Sequence, residues 1–124
     1  KNLKEAHEHQ TIFRPWGNYT CLVEDKYWLV KRIEVNPNQS LSLQMHNFRS
    51  EHWVIVKGKA KVELDGQISI LRKNQSIYIP IKSKHRLTNP DSEILTLVEV
   101  QTGTQLAEND IIRFEDNYGR IEKK

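Results

Sequence analysis

The sequence predicts an all-β fold, a small sandwich or barrel in a single domain, and three observations carry that expectation. β-Branched and aromatic residues recur in runs of four to eight from Tyr19 onward, turn residues separate these runs, and no long stretch has a helical period. The length of 124 residues is that of one domain. A chain of this size buries roughly two-thirds of its unfolded surface, enough for a core without covalent staples.

In chain order, residues 1–12 are polar and read as a lead-in or linker, 13–120 as the domain, and 121–124 as a charged tail. Arg14-Pro15-Trp16-Gly17 punctuates the entry. Strands are then expected at Tyr19–Glu24, Trp28–Val35, Leu41–Met45, His52–Lys57, Ala60–Leu64, Ile68–Leu71, Ser76–Ile79, His85–Thr88 and Leu95–Gln101. Between them lie Asn36-Pro37-Asn38, Lys57-Gly58-Lys59, Asp65-Gly66, Arg72-Lys73-Asn74 and Asn89-Pro90-Asp91. Asp65-Gly66 is the strongest local signal, because a type I′ hairpin turn needs positive φ at both central residues. Asp110 to Glu115 reads as a short helix with Asn109 as its N-cap.

Composition excludes several classes. Lys+Arg 19 against Asp+Glu 16 gives a net charge of +3, too mild and too evenly spread for a nucleic-acid footprint. No apolar run approaches the roughly 18–20 residues of a membrane span. The single cysteine, Cys21, rules out an internal disulfide, is compatible with a reducing cytosol, and reads as an inert packed thiol.

The period of two along a strand separates Leu41, Leu43 and Met45 from Ser42, Gln44 and His46. If the apolar set is packed away, Gln44 and His46 face a cavity side by side. Glu51 follows five residues after His46, and Gly58 seven after that; Pro80, His85 and Asn89 lie further on. This spacing resembles the two motifs of the cupin superfamily, with Gln44 where most cupins carry histidine and with Asn74 and Lys82 at the places of the second motif's glycines. The fold implied is a double-stranded β-helix, or jelly-roll barrel.

The resemblance narrows with Arg14-Pro15-Trp16-Gly17, Lys31-Arg32-Ile33, Leu41-Ser42-Leu43-Gln44-Met45-His46 and Arg49-Ser50-Glu51-His52-Trp53. It continues through Tyr78-Ile79-Pro80, His85-Arg86-Leu87, Glu99-Val100-Gln101-Thr102-Gly103 and the stretch from Asp110 to Arg120. From about Phe13 to Arg120 the chain is similar to the type II phosphomannose isomerase domain, often the C-terminal part of a bifunctional guanylyltransferase/isomerase. Asn47 and Phe48 depart from the family, which often carries histidines there. The polar lead-in and the absent first Met suit an excised or short stand-alone version, from which no guanylyltransferase activity is expected.

The resemblance implies a metal-dependent isomerase interconverting mannose 6-phosphate and fructose 6-phosphate, feeding GDP-mannose synthesis. Gln44, His46, Glu51 and His85 are the implied metal ligands. Their nitrogen and oxygen donors suit Zn, with Mn, Fe, Co or Ni as other occupants, and one anionic ligand leaves the ion a strong Lewis acid. The base that moves a proton between C2 and C1 is Glu99 or a metal-bound hydroxide. Gln101 shares the parity of Glu99 and faces the same cavity. Lys82, Arg86, Arg113 and Arg120 are the cations available to a phosphate, and the resemblance marks Arg120 as an active-site residue.

Bland readings stand beside these. His7 and His9 lie in the lead-in and read as exposed, and His52 alternates to the face opposite Glu51. Trp16, Trp28 and Trp53 read as core or rim packing. Arg113 and Arg120 read, without the resemblance, as partners of Glu115, Asp116 or Glu122. A cupin scaffold without a metal is the alternative for the ligand set as a whole. Rival functions are a cupin dioxygenase, disfavoured by Gln44 and the cationic tail, and a non-catalytic sugar-phosphate-binding or oligomerisation module that needs a nucleotidyltransferase partner. The metal-free His–Asp pair of nucleotide-sugar epimerases is not found. Exposed sheet edges predict a homodimer, with an exchanged N-terminal strand as one means of covering them.

Overall fold

Along each strand side chains alternate inward and outward, and the inward set changes character partway along. That change positions the site. The computed structural model describes residues 9–118, which form eleven strands and, among the described residues, no helix. They are β1 (Thr11–Arg14), β2 (Gly17–Glu24), β3 (Trp28–Val35), β4 (Leu43–Met45), β5 (Arg49–Lys57), β6 (Ala60–Leu64), β7 (Gln67–Leu71), β8 (Ser76–Ile79), β9 (His85–Thr88), β10 (Leu95–Gly103) and β11 (Ile112–Glu115). One sheet has the order β1-β2-β3-β10-β5-β8 and the other β11-β4-β9-β6-β7, with every pairing antiparallel. The chain thus crosses repeatedly between two facing sheets, as the jelly-roll expectation requires.

The core lies between the sheets. Ile33 and Val35 of β3, Ile55 of β5, Ala60 and Val62 of β6, Ile79 of β8, Leu87 of β9 and Leu95 and Leu97 of β10 are buried together with Trp16 and Trp53. Each large apolar side chain buried there contributes on the order of 1.5–3 kcal/mol. Register aligns the change in character: Leu95 faces Val35, Leu97 faces Ile33 and Ile55, and the next inward row is Lys31, Glu99 and Trp53. The row beyond holds Gln101 and Glu51. One end of the barrel is therefore apolar and the other polar, although both are buried.

Local chemistry explains the turns. Asp65 and Gly66 have φ of 48° and 86°, as the hairpin joining β6 to β7 requires. A Cβ at Gly17 would lie 2.0 Å from the Glu34 carbonyl oxygen, so the close approach of β2 to β3 excludes any side chain there. Asn74 and Lys82 keep the left-handed conformation of the glycines they stand for, at φ of 73° and 66°. Lys82 also donates its backbone N–H to the His46 carbonyl at 2.8 Å, tying the turn before β9 to β4.

Two expectations are corrected. Asp110 to Glu115 is not a helix: Ile112–Glu115 is β11, paired with β4. The lead-in is shorter than expected, since Thr11 already pairs with Thr20 across β1 and β2. His7 falls outside the described residues, as does Arg120.

Candidate metal centre and active-site cavity

Three strands of one sheet and three of the other supply the polar end. β4 and β9 bring Gln44 opposite His85, and β11 places Arg113 opposite Gln44. His46 follows β4, while Arg49, Glu51 and Trp53 line the inner face of β5, with Lys31 on β3 and Glu99 and Gln101 on β10. Gln44, His46, Glu51, Glu99, Gln101 and Arg113 line one cavity with Arg14, Tyr19, Lys31, Arg49, Trp53 and Glu108.

At its wall, donor atoms of His46, Glu51 and, behind them, His85 lie within 4.8 Å of one another, and all three residues are buried. Each imidazole is oriented by its outer nitrogen. His46 Nδ1 is 2.6 Å from the Asp110 carbonyl oxygen, and His85 Nδ1 is 2.9 Å from that of Ser83. A carbonyl only accepts, so both Nδ1 atoms carry hydrogen and both Nε2 atoms turn to Glu51. The distances from Glu51 are 3.2 Å to His46 and 3.9 Å to His85. His85 Nε2 is buried without a hydrogen-bond partner, a costly arrangement that a cation would relieve. In metal sites the outer nitrogen of a ligating histidine is held in the same way, by a carbonyl that fixes the ring and its tautomer. The donor set therefore fits a divalent metal, with His46, Glu51 and His85 as ligands and Gln44, in register beside His85, available as a fourth.

Electrostatics support that fit. Burial pushes the Glu51 carboxyl up, but His46, Arg49 and His85 outweigh it and hold it well below the usual carboxylate range. Burial also lowers His85, favouring the neutral imidazole that a metal needs. Glu99 behaves oppositely: burial first, then the negative charge of Glu51, raises it to about 7. A single Trp53 N–H links the two carboxylates, donating to Glu51 Oε1 and Glu99 Oε2 at 3.1 Å each. Gln101 Nε2 donates to Glu99 Oε1 at 2.5 Å.

Lys82 and Arg86 are not among the residues lining this cavity. Lys82 is exposed on its turn, and Arg86 alternates away from His85 to pair with Glu63 and Glu115 at 2.5 and 2.6 Å. His52 is exposed, as its parity required, against the edge of Tyr78. Trp16 and Trp53 are buried, whereas Trp28 is 41% exposed. Asn47 and Phe48 contribute through the backbone, both N–H groups donating to the Asp110 carboxylate at 2.9 Å.

Four residues join the site unannounced. Arg49 donates to Glu51 at 3.1 Å and contacts His46 Nε2 at 3.3 Å, while Nη1 binds the Ala107 carbonyl at 3.3 Å. Its parity with Glu51 was the available signal. Lys31, buried on an otherwise apolar face, was another. Arg14 and Glu108 had none, since β1 and the β10–β11 connection bring them to the cavity only through the tertiary fold.

A profile of the family described as mannose-6-phosphate isomerase C-terminal matches residues 1–116. The mannose-1-phosphate guanylyltransferase ManC of Salmonella typhimurium is 47% identical over 117 residues, 94% of this chain and 24% of that protein. The alginate biosynthesis protein AlgA of Pseudomonas syringae pv. tomato is 50% identical over 116 residues, again 94% and 24%. The chain thus spans about a quarter of these relatives' length. Among solved structures, the Schizosaccharomyces pombe Cnp3 cupin domain superposes with a TM-score of 0.69 at 12% identity, covering 73% of this chain and 66% of that one. On a cupin fold, then, the chain belongs to the mannose-6-phosphate isomerase C-terminal family.

Proposed function

We propose that this domain is a divalent-metal-dependent aldose–ketose isomerase that interconverts mannose 6-phosphate and fructose 6-phosphate, in support of GDP-mannose synthesis. The observation that carries the reading is the His46–Glu51–His85 donor set, two of whose members line one cavity with a second buried carboxylate, Glu99, raised to about 7. Gln44 completes the ligand set. Zinc is the proposed metal because two imidazoles, a carboxylate and an amide oxygen suit it. When bound, the ion supplies Lewis-acid stabilisation of the negative charge that develops on the sugar's O1 and O2.

Glu99 is the proposed proton carrier. Its carboxylate takes the proton from C2 of the open-chain aldose, the C2–H electrons form the C1–C2 double bond of an enediolate, and the carboxyl, which exchanges its proton with solvent, delivers a proton to C1. A net transfer of hydrogen from O2 to O1 completes the ketose. A group that titrates near neutral pH can both accept and deliver a proton, and microscopic reversibility demands both. Trp53 holds Glu99 against Glu51, and Gln101 fixes its other oxygen. Both neighbours restrict the carboxylate to one position over the substrate.

Turnover in deuterium oxide tests the assignment. Metal-loaded protein should place solvent deuterium at C1 of fructose 6-phosphate, and Glu99→Gln should lose about two to four orders of magnitude in rate while keeping its metal. Full activity of Glu99→Gln would remove Glu99 from the chemistry.

A further inference from the structure

The cavity holds an ion pair that the isomerase chemistry does not use. Lys31 is buried, with a side chain 7% exposed, and its ammonium group binds the carboxylate of Glu108, whose side chain is 58% exposed. Lys31 Nζ also lies 4.2 Å from the centre of the Tyr19 ring. Arg14 stacks on the same ring at 5.5 Å, with Nη2 3.5 Å from the phenol oxygen. Arg14, Tyr19, Lys31 and Glu108 all line the cavity that contains His46 and Glu51. Burying a lysine is costly unless an anion faces it, and the anion here comes from the connection between β10 and β11. Lys31, then Arg49 and Arg14, hold the Glu108 carboxyl below its ordinary range against the effect of burial, so the field at that point favours an anion.

We propose that Glu108 is the resident occupant of an anion subsite, and that the phosphate group of a sugar phosphate displaces it from Lys31, with Arg14 and Tyr19 completing the cradle. A phosphate monoester carries more charge than one carboxylate and offers three acceptor oxygens, so it engages Lys31, Arg14 and the Tyr19 hydroxyl together. Placement suits a sugar phosphate. Lys31 faces Glu99 directly across β3 and β10, and Glu51 lies one strand further on β5, roughly 10 Å across the sheet at about 4.8 Å per strand. An extended six-carbon chain with its phosphate on Lys31 thus directs its first carbons towards Glu99 and the histidines. The Glu108 side chain, being exposed, swings aside by rotation of its own bonds, while Ala107 and Asp110 on the same connection keep their contacts with Arg49 and His46.

The inference rests on reading the cavity as a sugar-phosphate site, but its test needs no turnover. Inorganic phosphate is titrated calorimetrically, at fixed ionic strength, into the wild-type chain, Glu108→Gln, Glu93→Gln as a charge control on an exposed position, and the double variant Lys31→Gln/Glu108→Gln. Removing the resident anion should tighten phosphate binding about tenfold in Glu108→Gln, leave Glu93→Gln at the wild-type value, and lose the gain in the double variant. Equal affinity of Glu108→Gln and wild type would overturn the proposal, as would an equal gain in Glu93→Gln or a gain surviving the loss of Lys31. Glu108 is exposed, so its variant decides the matter even if Lys31→Gln fails to fold. Tighter phosphate binding in a protein that does not isomerise mannose 6-phosphate would sink the isomerase reading and leave the subsite standing; turnover without any effect of Glu108→Gln would do the reverse.

Discussion

At the scale of single residues the site depends on two buried ring N–H groups, the Trp53 indole and the Nδ1–H of His85. Trp53 has the burial of a core residue, yet its N–H is shared between the two carboxylates for which different tasks are proposed. Trp53→Phe removes a donor that stabilises the ionised form of Glu99, so the carboxyl titrates higher. We predict that the acidic limb of the kcat–pH profile moves up by about one unit and that kcat falls. An unmoved limb would show that the indole only fills space. His85 makes the complementary case. With its Nδ1 fixed by Ser83 and its Nε2 otherwise unsatisfied, His85→Ala should abolish both metal retention and turnover, measured by plasma emission and a coupled assay. Retained metal at full occupancy would remove His85 from the ligand set.

At the scale of elements, the turn before β9 carries a substitution with a readable cost. Lys82 holds a φ of 66°, a conformation in which an L side chain is disfavoured by about 1 kcal/mol or more. Lys82→Gly should raise stability by about 1 kcal/mol in urea unfolding. Because Lys82 does not line the cavity, the isomerase KM should be unchanged. A rise in KM would return Lys82 to substrate binding. The connection between β10 and β11 shows why part of the molecule was not legible in sequence. Asn109 and Asp110 before an apolar pair look like a helix start, because an aspartate there accepts backbone N–H groups. Asp110 does accept two, but they belong to Asn47 and Phe48 beyond β4, and the chain after it pairs as β11. By contrast, Gln44, His46, Glu99 and Gln101 were legible because strand parity decides which side chains share a face, while Glu51, outside the expected strands, was legible only through the motif spacing. Arg14 and Glu108 meet across the sheet through contacts between distant parts of the chain, which no local pattern encodes.

At the scale of the whole molecule, the polar end of the barrel makes stability depend on pH. Glu99 titrates near 7 in the folded chain against 4.5 when unperturbed. Between those values the unfolded state has released a proton that the folded state still binds, so stability falls as pH rises through that window. A shift of this size corresponds to roughly 3 kcal/mol. His85, lowered by burial, works in the opposite sense near its ordinary range, so the contribution of Glu99 is isolated by comparison with Glu99→Gln. Metal-free Glu99→Gln should gain on the wild type, in urea unfolding, as pH rises from 4.5 to 7. Parallel curves would place Glu99 in an ordinary environment. A bound divalent cation supplies positive charge beside Glu51, which is the neighbour that raises Glu99, and so should shrink the difference between the two proteins.

On the proposed reading, His46, Glu51 and His85, with Gln44, hold one divalent metal on which isomerisation depends. The most direct test is the metal content of the purified chain by plasma emission, with the rate of fructose 6-phosphate formation measured on the same sample before and after chelation. About one metal per chain is expected, with turnover lost on chelation and recovered on adding zinc back. A chain that takes up no metal after reconstitution, or that isomerises mannose 6-phosphate equally well without one, would contradict that reading.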